Sequence, residues 1–192
     1  QVRDNAQVYG DAKVYNYAKV YGDSEVYGNA QVYDFAEVYG HTQVYGYSWV
    51  SENARVYDNA EVSDNAWVYG KAKVYGNAKV SDNAWVYGKA KVYDDTEVRG
   101  DAKVGESAQV YGNACMLGNT QVYGNAQVYD DAWVSENVKI YGYAEVSDKA
   151  KVYGEAEVYG NAYIAGNAKV CDEAKVYGNA EVFGNAKVSG NA

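Results

Sequence analysis

An aliphatic residue recurs at every sixth position, from Val2 to Val188, without a slip. Twenty-nine members of this column are Val; the other three are Met116, Ile140 and Ile164. The column two places ahead is small: 26 Ala, interrupted by Ser24, Thr42, Ser48, Thr96, Thr120 and Val138. The residue after the aliphatic is Tyr in 19 hexads and Ser in six. Next comes Gly (19) or an acidic residue (12), then Asn in 16. Side chains two apart on a strand share a side, so Ala and Val point one way and their neighbours the other. Val and Tyr favour the extended pleat, whereas Gly and Asn tolerate positive φ. Each hexad therefore predicts a four-residue strand and a two-residue Gly-Asn corner. A lone hexad cannot bury its apolar side, so the hexads must wind into stacked coils.

The outward columns set the size of the coil. Trp49, Trp67 and Trp85 are spaced by 18, as are Tyr21, Tyr39, Tyr57, Tyr75, Tyr93, Tyr111 and Tyr129. The intervening positions Ser63, Ser81, Arg99, Leu117, Ser135, Tyr153, Cys171 and Ser189 show that one face has lost nearly all its tyrosines. A period of 18 explains this segregation and a period of six does not. The expected fold is all-β: a single-stranded parallel β-helix (solenoid) of triangular section, with three hexads closing each coil and no helices. At 192 residues it makes about 10.7 coils, a rod on the order of 50 Å long at about 4.8 Å per coil. Residues 1–192 form one repeat domain of 32 hexapeptides. Met116 and Val138 put larger groups into a core built for Val and Ala, predicting local widening that Thr120, one coil from Val138, shares.

With an aliphatic residue every six, a small residue two earlier and Asn- or Asp-type corners, the chain resembles the hexapeptide-repeat proteins (bacterial transferase hexapeptide-like). The resemblance covers all 192 residues and implies left-handed winding. One departure is plain: the family often has Gly directly after the aliphatic residue, where Tyr stands here. Many members are acyltransferases that use a His base under a loop between subunits. This chain has one His, His41, at a corner, and no insertion in the register. The expectation is a non-catalytic structural member, with no catalytic, cofactor or metal residues.

Composition narrows the partners. Leu, Ile, Val and Phe together make only 35 of the 192 residues and the net charge is −9, which alone would suggest disorder; 23 Tyr and 4 Trp argue against it. The scattered basic residues do not suit nucleic acid, and no apolar run reaches the about 20 residues of a membrane span. No stretch of the sequence reads as a targeting segment. The first hexad, Gln1 to Ala6, and the last, Lys187 to Ala192, conform to the repeat. The expectation is a segment of a longer repeat protein or fibre, self-associating end to end or laterally. It would be bacterial, and extracellular or on the cell surface.

The remaining chemistry is sparse. Cys115 and Cys171 point outward on one face, three coils apart, beyond the ~7 Å limit for a disulfide; two exposed thiols are expected. Asp94-Asp95 and Asp130-Asp131 read as solvated corner charge, and Arg99-Gly100-Asp101 as a chance occurrence of an adhesion tripeptide. His41 reads as a corner residue tolerating positive φ. The Tyr21 to Tyr129 column reads as a stabilising ladder. Trp49, Trp67 and Trp85, with Ser51, Tyr69 and Tyr87 two residues later, would make a flat aromatic strip suited to sugar rings or a protein surface; Trp133 lies on another face. The leading function is a stiff structural rod. The alternative is an adhesin binding glycans or other cell-surface components through that strip. An acyltransferase and an ice-binding protein come behind, the latter because only Thr42, Thr96 and Thr120 exist to form a threonine array.

Overall fold

The computed structural model describes residues 1–190. It is a parallel β-solenoid of about ten turns, each built from three hexads, with no helix among the described residues. Three parallel sheets of 11, 10 and 10 strands form its faces. Face 1 begins with β1 (Gln7–Val8), face 2 with β2 (Lys13–Val14) and face 3 with β3 (Lys19–Gly22). Every strand pairs in parallel with the strand one coil away: Val62 lies between Val44 and Val80, and Trp67 between Trp49 and Trp85. The partners are offset by 18 along the chain, as the outward columns require.

The strands are shorter than the repeat suggests. All but two span two residues; only Lys19–Gly22 and Glu37–Gly40 reach four. The corners bend the chain before the pleat extends further. Hydrogen bonding nevertheless runs on past the strand ends, because every second residue faces the next coil. Lys73 N–H donates to Ala90 O at 2.9 Å, Tyr75 N–H to Val92 O at 3.0 Å and Asn77 N–H to Asp94 O at 2.9 Å.

The corner is tighter than expected and uses one left-handed residue, not either of two. All 19 glycines at the corner's first position have positive φ, and so do the 13 non-glycine residues there. No described residue of the Asn column that follows is left-handed. His41 therefore does not carry the positive φ expected of it; Gly40, at φ 83°, does. At Gly76 the φ is 71° and an added Cβ would meet Asp94 N of the next coil at 2.7 Å, so the close stacking of corners also favours glycine.

Ala and Val fill the interior, nearly all with no accessible surface. Met116 is fully buried, and its pairing with Val98 and Val134 keeps the common register. Val138 is buried just as completely, and the adjoining strand Lys139–Ile140 also stays in register. Buried hydroxyls of Ser24, Thr42 and Thr96 donate to the carbonyls of Tyr21, Tyr39 and Tyr93 three residues earlier. Ser48 and Thr120 hydroxyls have no partner among the described residues. Asn191 and Ala192, which complete the last hexad, lie outside the described residues.

Candidate functional site

The outer columns are where this fold can differ from one coil to the next. On face 3 the rings of Tyr21, Tyr39, Tyr57, Tyr75, Tyr93, Tyr111 and Tyr129 stack one on another, with centroids 4.8–5.0 Å apart and planes within 5°. Each is half-buried. Burial, then the neighbouring phenols and carboxylates, pushes the Tyr93 pKa up to about 12; the other six are raised as well, burial being the leading cause. Three shorter ladders were not singled out in the sequence: Tyr9–Tyr27–Tyr45, Tyr15–Tyr33 and Tyr123–Tyr141–Tyr159–Tyr177. Phenol hydroxyls reach diagonally to the next coil, as in Tyr111 donating to Gln127 at 3.2 Å and Tyr129 to Glu145 at 3.2 Å.

Trp49, Trp67 and Trp85 also stack, at 4.6 and 5.3 Å, with planes within 10°. Rings lying flat and edge to edge would need centroids about 6 Å or more apart, given carbon contacts of about 3.5 Å. The indoles are therefore face to face rather than laid out as a pavement. Lys103 caps the far end, its ammonium 4.6 Å from the Trp85 ring. Tyr69 and Tyr87 form a second stack at 5.6 Å beside them. Trp133 sits apart on face 1, exposed and outside every aromatic stack.

The Tyr column of face 2 has two missing rungs, Ser51 and Gly105, and face 3 loses its ring at Ser147. At Gly105 the Tyr87 ring fills the gap so closely that a Cβ there would lie 2.2 Å from its Cζ. At Ser147 the hydroxyl meets the Tyr163 hydroxyl at 3.2 Å, and the Ser is buried. Ser51 is itself buried, only 6 % exposed. A groove of about 280 Å³ runs between Tyr33 and Tyr69, walled by Trp49 and Trp67, with Glu52 beside it. Tyr33 stands at 76° to Trp49, and Tyr69 at 73° to Trp85, which parallels Trp67. The sequence shows that Ser51 interrupts the column; which gaps close depends on how neighbouring rings turn.

Corner side chains form ladders too. Asn77 Nδ2 donates to Asp95 at 2.8 Å, Asn113 to Asp131 at 2.9 Å, and Asn59 to Asn77 at 3.1 Å. Asp94 accepts from Gly112 N–H at 3.3 Å, and Asp82 from Gly100 N–H at 2.9 Å. The carboxylates expected to be merely solvated thus tie coil to coil. Asp101 of the Arg99-Gly100-Asp101 tripeptide accepts from Asn83 in the same way, at 3.0 Å.

His41 is exposed, with Asp23, one coil away, 3.6 Å from its Nδ1. Cys115 is half-buried, and Cys171 is only 2 % exposed, against the expectation of two open thiols. Beside Cys171, Tyr153 has its phenol pKa raised, chiefly through a hydrogen bond between the two side chains. Thr42, Thr96 and Thr120 are all inside the core, so they form no outward threonine array. No group of three or more His, Cys, Asp or Glu among the described residues is placed to hold a metal ion. No helix there is long and apolar enough to cross a membrane.

Fold and surface together define a β-solenoid repeat protein with aromatic ladders. Residues 54–70, 72–88 and 120–136 match the family model described as the YdcK beta solenoid repeat. The first two segments begin one coil apart on the same face; the third begins on another, so a repeat can be entered at more than one corner. A comparison with curated proteins gives no match.

Proposed function

We propose that the chain is a non-catalytic structural rod of the hexapeptide-repeat type, wound left-handed, that forms or belongs to a bacterial extracellular or cell-surface fibre. The observation carrying this reading is the register. Parallel pairing between successive coils continues from the Val2–Val20 bridge to the Lys169–Lys187 pair, and no loop leaves the coils on the way. Ladders of backbone, Tyr, Trp and Asn all run along the same axis, which stiffens the molecule lengthwise and leaves the outward columns for lateral or end-to-end contact. The acyltransferase alternative has little support, because His41 lies on an open corner with Asp23 rather than beneath a loop. A glycan-binding role for the Trp49, Trp67 and Trp85 strip, with Ser51, Tyr69 and Tyr87, is also less supported. The ring faces a sugar would cover are stacked on one another. Negative-stain electron microscopy of the purified chain at micromolar concentration should show straight rods on the order of 50 Å long, or multiples of that length. Compact particles, or acyl transfer from acyl-CoA abolished by His41→Ala, would overturn the reading.

A further inference from the structure

We infer that face 3 is a pairing surface for a second copy of this chain, the two rods lying parallel about a two-fold axis along their length. This deepens the lateral contact of the rod reading, and rests on that reading only in taking such contact to occur. The observation behind it is a charge asymmetry between the two long edges of the face. Where the chain enters face 3, the corner residues Tyr17 and Phe35 line a groove with Lys19, Glu37 and Arg55. Further along this edge come Lys71 and Lys89, each two residues ahead of Lys73 and Lys91. None of the corner residues spaced by 18 from Tyr17 to Asn179 is acidic. The opposite edge holds Asp4, Asp58, Asp94, Asp130 and Asp148, with Gly at its other rungs and no base. Burial first, then Asp94 and Asp58, raise the phenol pKa of Tyr75, as carboxylates flanking the ladder must.

The basic edge has no partners of its own. Lys73 pairs in register with Lys91 and with Arg55, so like charges lie one coil, about 4.8 Å, apart. Such stacking is destabilising. Glu37 holds Lys19 and Arg55, at 2.9 and 3.2 Å. No salt bridge reaches Lys71, Lys73, Lys89 or Lys91 among the described residues. A two-fold along the rod lays each edge of one face on the opposite edge of the other at the same height. Lys89 then meets the partner's Asp94, and Arg55 the partner's Asp58, while the stems of Lys73 and Lys91 cover the edges of the partner's tyrosine rings. A two-fold across the rod would instead set the lysine edges against each other. The other faces offer no such match, because both edges of each carry carboxylates. On face 1 Asp95 and Asp131 oppose Asp64 and Asp82; on face 2 Asp101 and Glu155 oppose Glu52 and Glu106. A face about 50 Å long and four residues, about 13 Å, wide gives about 650 Å² per copy. The total of about 1,300 Å² exceeds the ~1,000 Å² that a specific interface needs.

The test is sedimentation velocity of the full chain at micromolar concentration, with charge exchanged between the two edges. Dimers should form in about 20 mM salt and pair at least about tenfold more weakly in about 0.5 M, where screening is short-ranged. Lys71→Glu with Lys89→Glu should weaken pairing at least about a hundredfold, and so should Asp58→Lys with Asp94→Lys. Each double variant alone sets like charges together. Mixed, the two set Glu against Lys at both edges and should recover the dimer. Should the Asp→Lys pair lower the melting temperature, Asp58→Asn with Asp94→Asn keeps the left-handed corner and should weaken pairing about tenfold. Nitroxides at the exposed positions Asn53→Cys, Asn125→Cys and Asn161→Cys, each with Cys115→Ala and Cys171→Ala, should give one common distance between copies. A two-fold along the rod requires that equality. Distances that change along the rod, or variants that pair as tightly as the natural chain, would overturn the inference. So would straight single rods at low salt, which would leave the rod reading itself standing.

Discussion

Faces 3 and 1 share an interior and differ outside. On both, Val and Ala are buried and neighbouring coils pair in the same register. Outside, face 3 carries seven stacked tyrosines, whereas the tyrosine stack of face 1 ends at Tyr45 and gives way to Ser63, Ser81, Arg99, Leu117 and Ser135 before a lone Tyr153. Coils close equally well above either surface. The hexad's inward residues therefore specify the fold, and the ladder adds rigidity along one side without being required for winding.

The largest test of that division is inside. Val74→Ala on face 3 and Val80→Ala on face 1 should each cost about 2–4 kcal/mol by urea denaturation, and by nearly equal amounts. A markedly greater loss on face 3 would mean that the ladder and the core are coupled. Outside, the faces should separate. Tyr75→Ala removes two stacking contacts of 4.8 Å and should cost about 1.5–3 kcal/mol. Tyr153→Ala on face 1, where Ser135 and Cys171 are the column neighbours, should cost about 1 kcal/mol or less.

Alkali should act on face 3 in particular. Its ladder phenols have pKa values raised by burial, Tyr93 to about 12, while an unfolded tyrosine ionises near 10. Stability from the neutral phenol is present in full below about pH 10 and is lost as pH rises through the folded value, because the unfolded chain releases its proton first. Urea midpoints should hold steady up to about pH 10 and fall beyond it. Tyr93→Phe should make that fall shallower; an unchanged slope would show that this phenol is not linked to folding. The smallest effect is a repair. Ser63→Tyr extends the Tyr9–Tyr27–Tyr45 stack by one ring and should raise stability by about 0.5–1.5 kcal/mol. No gain would mean that Ser63, only 4 % exposed, has no room for the added ring.

Coil size, parallel register and core membership were legible in the sequence because each depends on residue spacing alone. The Tyr21 to Tyr129 column was legible for the same reason. What spacing left open turns on rotation about single bonds. Gly and Asn both tolerate positive φ, so composition could not show that the first corner position alone adopts it. Asp94 and Asp131 look like solvent charges until the coils place an N–H donor within reach. The Trp strip could have been laid flat or stacked, and only the ring planes decide. Whether a missing ring leaves its rung exposed depends on how neighbours such as Tyr87 or Tyr163 turn across it.

The equivalence of the three corners makes length change in this molecule a matter of phase. A gain or loss of one whole coil returns every later residue to its own face. A change of a single hexad keeps Val over Val, yet turns everything downstream by one third of a revolution. Deleting residues 72–77, for instance, would bring Ser81, Arg99 and Leu117 beneath Tyr57, and would carry Tyr93, Tyr111 and Tyr129 round to face 2. The interior would register no error while the whole exterior beyond that point was rewritten. One short slip in copying such a gene can thus produce an intact rod with a new surface.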